Sequence, residues 1–328
     1  MIGLKDNIRN IFEQNTRLLR SLDKAIFCFR KQQYDRALNV VANSVGQMKE
    51  TVEAVITDRE YFNLVSTDTV LGMLSGILNA QKKKDFILLA DLLELQMISF
   101  LCSVQELIIR KEEILFDEER YTANSKLLKE MGNGFGEVDF GTLVPSELLE
   151  NGYRVEFTSC GLMTLAAENN GSEFYFHTNG RVYEEAMLLA GHWYNKGVKS
   201  YLVFGFGMGY HISELLELTT SMDEKADTLA KANVKKDNFR EAMIEVYEAD
   251  INVMKLACAF LDLDEILNCG RVKLHYDPDF TMLKNRLAVL QTEDAVCIHY
   301  PSFQNIRNNK GREMMESYIP WSKTIESC

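Results

Sequence analysis

In Tyr201-Leu-Val-Phe-Gly-Phe-Gly-Met-Gly-Tyr-His211 a short apolar run ends in three glycines at alternate positions. A helical segment follows, and a second apolar run, Val246-Tyr-Glu-Ala-Asp250, ends in acid. Glycine has no Cβ, so such a loop turns sharply and lets a ligand approach the backbone. The helix that starts next offers unpaired N–H groups and a partial positive charge. An acid at the tip of the second strand is placed to accept hydrogen bonds from ribose hydroxyls. A Rossmann-type sheet builds a nucleotide site in this order. A tight strand-to-helix turn without a ligand has the same pattern.

Gly205, Gly207 and Gly209 form G-x-G-x-G, not the G-x-G-x-x-G of dinucleotide sites. The spacing resembles that of class I methyltransferases, which bind S-adenosylmethionine at this place. On that resemblance Glu248 holds the ribose hydroxyls. Glu248-Ala-Asp250 is similar to the Glu-x-Asp of the spermidine-synthase-like branch, and Asp277 stands where an acid contacts the adenine amine. Asp250 has a second reading as the cap of a helix starting at Ile251. Asp277, followed by Pro278, has the same alternative. Tyr210 and His211 open the helix after the glycines. A helix N-terminus disfavours imidazolium, so His211 is expected to be neutral, as a donor to a ligand or as a packing residue. His177-Thr-Asn179 with Arg181 lines the same cleft or forms an ordinary turn. His299-Tyr-Pro301 is expected to be structural. No Ser-His-Asp, HExxH or paired-carboxylate signature names a general base. The residues support binding better than catalysis.

Working outward, the period of the chain changes once. Up to about residue 130 it is helical. Ile8, Ile11, Phe12, Leu18, Leu19, Leu22 and Ile26 recur at three- and four-residue steps, as do Tyr34, Ala37, Leu38, Val41, Val45, Met48, Val52 and Val55. Thr67-Asp-Thr69 starts a shorter helix through Leu78, and Lys82–Asp85 separates it from a long helix over 86–112. An up-and-down bundle over 1–130 is expected. Met131-Gly-Asn-Gly-Phe-Gly136 breaks the pattern and is the expected linker, at 131–136. Residues 137–328 then form a β-hairpin and an α/β domain. Tyr153–Thr158 and Met163–Ala167 alternate, Asn169-Asn-Gly171 turns, and Glu173–His177 returns. Helices at 182–195, 210–219, 251–262 and 279–290 alternate with strands at 200–206, 243–248, 271–276 and 294–299, implying a mostly parallel sheet. The charged stretch 220–242 is expected as a helical excursion outside it.

The net charge of −12 argues against nucleic acid as a partner, because binding it needs basic patches. Phe86–Ile109 is apolar enough to span a bilayer, but Asp91, Glu94 and Glu106 make insertion costly, so a buried bundle helix is expected. No leader pattern opens the chain, and the seven cysteines show no CxxC or His-paired spacing. Reduced thiols, a cytoplasmic location and no metal are the expectations.

Several pieces occur in an order that resembles a known family. They are Tyr175-Phe-His-Thr, Glu184-Glu-Ala186, Val203–Leu215 with its Gly-Tyr-His, Val246–Asp250 and Val296-Cys-Ile-His-Tyr-Pro301. Over about 150–305 the chain looks like the N-terminal domain of motility accessory factor proteins, bacterial glycosyltransferases of flagellin modification. The chain ends at Cys328, where that family's catalytic domain would begin, so transferase activity does not carry over. The resemblance implies that the α/β part is Rossmann-like and methyltransferase-like and belongs to an accessory or binding protein, with S-adenosylmethionine or another nucleotide-type molecule as its ligand. The all-α bundle that the periodicity places before it is expected to dock a protein partner. A methyltransferase and a ligand-free assembly scaffold remain the alternatives.

Overall fold

The computed structural model describes residues 2–63, 66–112, 118–143, 147, 150–230, 242–261 and 263–319, with only the backbone for 2–7, 112, 221–230 and 265. An N-terminal helical region is followed by a mixed α/β region. The chain forms two compact units. The first is Met1–Leu115 with Phe157–Met163 and Asn179–Glu184, and the second takes the rest.

The helical unit contains α1 (Ile2–Arg30), α2 (Tyr34–Thr57) and α3 (Thr67–Lys83). A fourth, longer segment runs as α4 (Phe86–Leu92), a π-helical turn (Leu93–Ile98) and α5 (Ser99–Glu112). The apolar stripes predict most of the burial. Ile8, Ile11, Leu18, Leu19, Leu22 and Ile26 are all core residues. Val45 is the exception: it is 55% exposed, and Ser44 is buried in its place. The Ser44 hydroxyl donates to the Val40 carbonyl, which lets a polar side chain sit inward. The helix α3 starts at Thr67 as expected, but its cap is Ser66 rather than a residue of Thr67–Thr69, accepting from the Thr69 N–H. That helix runs on to Lys83, whose charge suits a C-terminal turn, and ends at Lys84 in the left-handed region.

Phe86–Lys111 is the one helix among the described residues long and apolar enough to cross a membrane. Here Leu89, Leu93, Met97, Leu101, Val104 and Ile108 fill the unit's core. Two of its acids are paired, Asp91 and Glu94 both accepting from Arg30. Asn15, buried against this helix, donates its amide N–H groups to the Leu101 carbonyl and to Gln105.

The second unit holds two sheets. In the first, β1 (Tyr153–Phe157), β2 (Met163–Asn169) and β3 (Ser172–Tyr175) lie in that order. The expected turn joins β2 and β3, which pair antiparallel with Ala166 opposite Tyr175. After α7 (Val182–Trp193) comes the larger sheet: β4 (Ser200–Phe204), β5 (Met243–Glu248), β6 (Val272–Tyr276) and β7 (Asp294–Ile298). All neighbours are parallel, in the order β6-β5-β4-β7. The chain thus starts at the middle of this sheet, winds one way through β5 and β6, and returns to the other side for β7. Tyr201, Val203, Ile244, Val246 and Leu274 face one apolar core, and Leu202, Phe204 and Tyr247 face another. A parallel sheet is covered on both faces, which explains these nearly continuous apolar runs.

The helices between these strands are α8 (Tyr210–Ala230), α9 (Ile251–Phe260), α10 (Asp264–Leu267) and α11 (Thr281–Leu287); α12 (Tyr300–Gln304) and α13 (Asn309–Glu316) follow β7. The first part of the expected excursion, 220–230, continues α8. Residues 231–241 lie outside the described residues.

Where the sequence points to a linker at 131–136, the chain packs closely. Here α6 (Glu118–Met131) belongs to the second unit, with Asn124 donating to the Cys258 and Leu261 carbonyls. Phe135 is fully buried and stacks on Tyr276. Asn133 accepts from the Tyr276 N–H at 3.0 Å. Gly134 has φ +91°, and a Cβ there would lie 2.1 Å from the Tyr276 carbonyl oxygen. Gly134, in the segment expected as a linker, is needed for this approach to β6.

Candidate functional site: the glycine loop and a buried histidine cluster

Parallel strands end on one side of their sheet, so the residues after β4, β5, β6 and β7 share an edge. Gly205, Glu248, Asp277 and His299 meet there. The Gly205 N–H donates to the Tyr247 carbonyl, the Asp277 N–H to the Glu248 carbonyl, and the His299 N–H to the Phe204 carbonyl. The expected site residues are therefore brought together at the carboxyl edge. There each is engaged by the protein's own atoms.

Gly205, Gly207 and Gly209 all adopt positive φ, at +96°, +52° and +71°. The space each leaves is filled by the protein itself. A Cβ on Gly205 would sit 2.3 Å from the Ser302 side chain, and one on Gly207 would sit 2.9 Å from His177 Nε2. A Cβ on Gly209 would meet the Phe206 ring at 2.8 Å. Every residue from Gly205 to His211 is buried. Four of the loop's five N–H groups, all but that of Gly207, have internal acceptors: Gly205 on Tyr247 O, Phe206 on Glu248, Met208 on His177 Nε2 and Gly209 on Phe206 O. A phosphate-cradling loop works by leaving such groups unpaired.

The three acids are also engaged. Glu248 accepts from the Phe206 N–H at 2.9 Å with one oxygen and from the Ala249 and Asp250 N–H groups with the other. Burial pushes its carboxyl up to about 7, against the pull of those three donors. Asp250 caps α9 by accepting from the Asn252 N–H, and its second oxygen binds Tyr153 and Asn305. Asp277 accepts from the Met282 and Leu283 N–H groups at the start of α11. Asp250 is the N-cap the sequence offered as its alternative role; Asp277 lies three residues before the N-cap, Phe280, and reaches the first-turn N–H groups from there. Glu248→Gln is expected to cost about 1–3 kcal/mol of folding stability, because its amide sets a donor against backbone donors. A denaturation midpoint equal to wild type would contradict this role.

Sequence reasoning separated His177, His211 and His299; the fold stacks them. His211 and His299 lie with ring centroids 4.4 Å apart and planes at 13°, and His177 is 5.0 Å from His299. Tyr210 meets the His177 ring edge-on. Each imidazole is held by one ring nitrogen. His177 Nε2 accepts from the Met208 N–H at 3.0 Å, His211 Nε2 bonds the Gly205 carbonyl at 3.1 Å, and His299 Nδ1 bonds the Ser302 hydroxyl at 2.8 Å. The second nitrogens of His211 and His299 are buried with no well-aligned hydrogen-bond partner, although the Phe176 backbone lies close enough to His299 to oppose the lowering of its pKa. Burial lowers all three pKa values, that of His211 to about 4, and contact among the rings lowers His177 and His299 further. Burial, opposed by the bond to Gly205, thus favours the neutral His211 expected from the sequence. No local spacing announces this cluster, since its members come from the ends of three different segments.

The six described cysteines form no disulfide with one another, and Cys28, Cys160, Cys258 and Cys297 are buried. No family model, curated protein or solved structure matches this chain.

Proposed function

We propose that this chain is a non-catalytic accessory protein whose Rossmann-like α/β unit is a scaffold and whose helical unit docks a protein partner. One observation carries this reading: the buried glycine loop has four of its five N–H groups, and the Cβ space of its glycines, taken by the protein's own atoms. The exposed Leu71, Leu78, Ile87, Leu88 and Leu95 of the helical unit support docking, because they leave apolar surface for a partner. The resemblance to motility accessory factor proteins supplies the setting, flagellin modification in a bacterial cytoplasm. The second reading is an S-adenosylmethionine-dependent methyltransferase. It rests on the strand order and on the glycine loop at the end of β4.

A thermal-shift series with S-adenosylmethionine, nucleotide sugars and dinucleotides separates the two. A ligand held at 100 times its dissociation constant adds about 2.7 kcal/mol of stability. The expected result is no saturable shift at millimolar concentration. A saturable shift with any of these ligands, absent in Glu248→Gln, would restore the nucleotide site and overturn the scaffold.

A further inference from the structure

We propose that His177, His211 and His299 form a buried site for one first-row transition-metal ion of the zinc class. The inference is independent of whether the glycine loop takes a nucleotide. One donor nitrogen from each ring lies within 4.8 Å of the other two, and all three residues are buried. One tautomer can be read from its fixed end. His211 Nε2 faces the Gly205 carbonyl, which only accepts, so Nε2 carries the proton and Nδ1 the lone pair. The Ser302 hydroxyl can donate to His299 Nδ1 or accept from it; in the tautomer that donates from Nδ1, the His299 Nε2 lone pair is bare as well. Those two nitrogens are among the few buried side-chain atoms without a well-aligned partner.

Buried polar atoms are rarely left alone, and an ion is one standard reason when they are. A metal-bound histidine commonly gives its other N–H to a carbonyl or hydroxyl, which fixes tautomer and ring direction. Gly205 and Ser302 already play that part for His211 and His299. His177 joins by giving up the Met208 N–H at Nε2. Zinc–nitrogen bonds are about 2.0–2.1 Å, so the rings must draw together and the stacked pair must tilt to aim both lone pairs at one point. Imidazole suits zinc, copper, iron and nickel, and zinc and cobalt serve as the probes.

The test uses the full chain, stripped with chelator and titrated with Zn²⁺ and with Co²⁺. One equivalent should bind and raise the melting temperature, and Co²⁺ should give visible absorption bands that Zn²⁺ abolishes. His211→Gln keeps a donor to the Gly205 carbonyl and deletes the bare nitrogen. His299→Asn does the same at Ser302. Each should weaken binding by about a hundredfold or more, beyond the 10–100-fold typical of supporting residues. No stoichiometric uptake by the wild type would overturn the site and leave the lone pairs to water. Uptake unchanged in both variants would place the ion elsewhere and overturn it equally. The wild-type cobalt spectrum decides even if a variant does not fold.

Discussion

Gly205→Ala should destabilise the α/β unit by about 4 kcal/mol, combining about 1–3 for a side chain held at positive φ with about 1–3 for overpacking. The new methyl would lie 2.3 Å from both Cβ and Oγ of Ser302 and 3.1 Å from His299 Cβ. Ser302 is buried and tied to His299, so it has little room to withdraw. At about 2–4 °C per kcal/mol for a unit of this size, the melting temperature should fall by roughly 10 °C. Gly171→Ala is the control. Its φ is +74° but nothing lies within 4 Å of the new atom, so only the left-handed backbone cost of about 1–2 kcal/mol applies. Equal losses at the two positions would mean that the loop is not packed against α12. A ligand-shaped void at Gly205 would give that result, and the scaffold reading would fail with it.

The strands of the parallel sheet were legible because burial on both faces writes itself as short apolar runs. All four fall within two residues of the boundaries expected from sequence. Their order on the sheet is not written locally, yet alternation with helices was enough to imply parallel pairing. The roles of the acids were less legible. An acid after a strand serves a ribose or caps the next helix with the same residue types, and only the partner distinguishes them. Asp277 and Asp250 have backbone N–H partners. The glycine-rich segment at 131–136 misleads for a related reason. Glycine marks either freedom or close approach, and the atom approached by Gly134 belongs to Tyr276, far along the chain. The histidine cluster is a purely tertiary feature. Its three members lie in separate segments, each with a bland local explanation.

Arg181→Met should cost the helical unit about 3–5 kcal/mol at neutral pH, the range for removing one partner of a buried ion pair. Asp23 has a fully buried side chain. Its carboxylate accepts from Arg181 Nε at 2.7 Å and from the Tyr183 N–H at 3.2 Å. Arg181 also donates to the Asp23 carbonyl and to Glu94. Methionine keeps much of the apolar stem, so the change removes charge and hydrogen bonds more than volume. The pH dependence gives the prediction its sign. Burial raises the Asp23 pKa from its ordinary value, and Arg181 is the main opposing influence. Without Arg181 the folded pKa rises further above the unfolded one. A carboxyl shifted that way favours folding while protonated and loses that advantage as pH rises through the folded pKa. The deficit of the variant should therefore be largest at neutral pH and shrink as pH falls towards about 4, the ordinary range for aspartate. Asp23→Asn in the Arg181→Met background should recover most of the loss at neutral pH, because the amide oxygen still accepts from Tyr183 and no charge is left buried. Denaturation curves at several pH values measure both effects. A loss below about 1 kcal/mol, as for an exposed pair, or one that does not change with pH, would show that Asp23 is not held as a buried anion by Arg181.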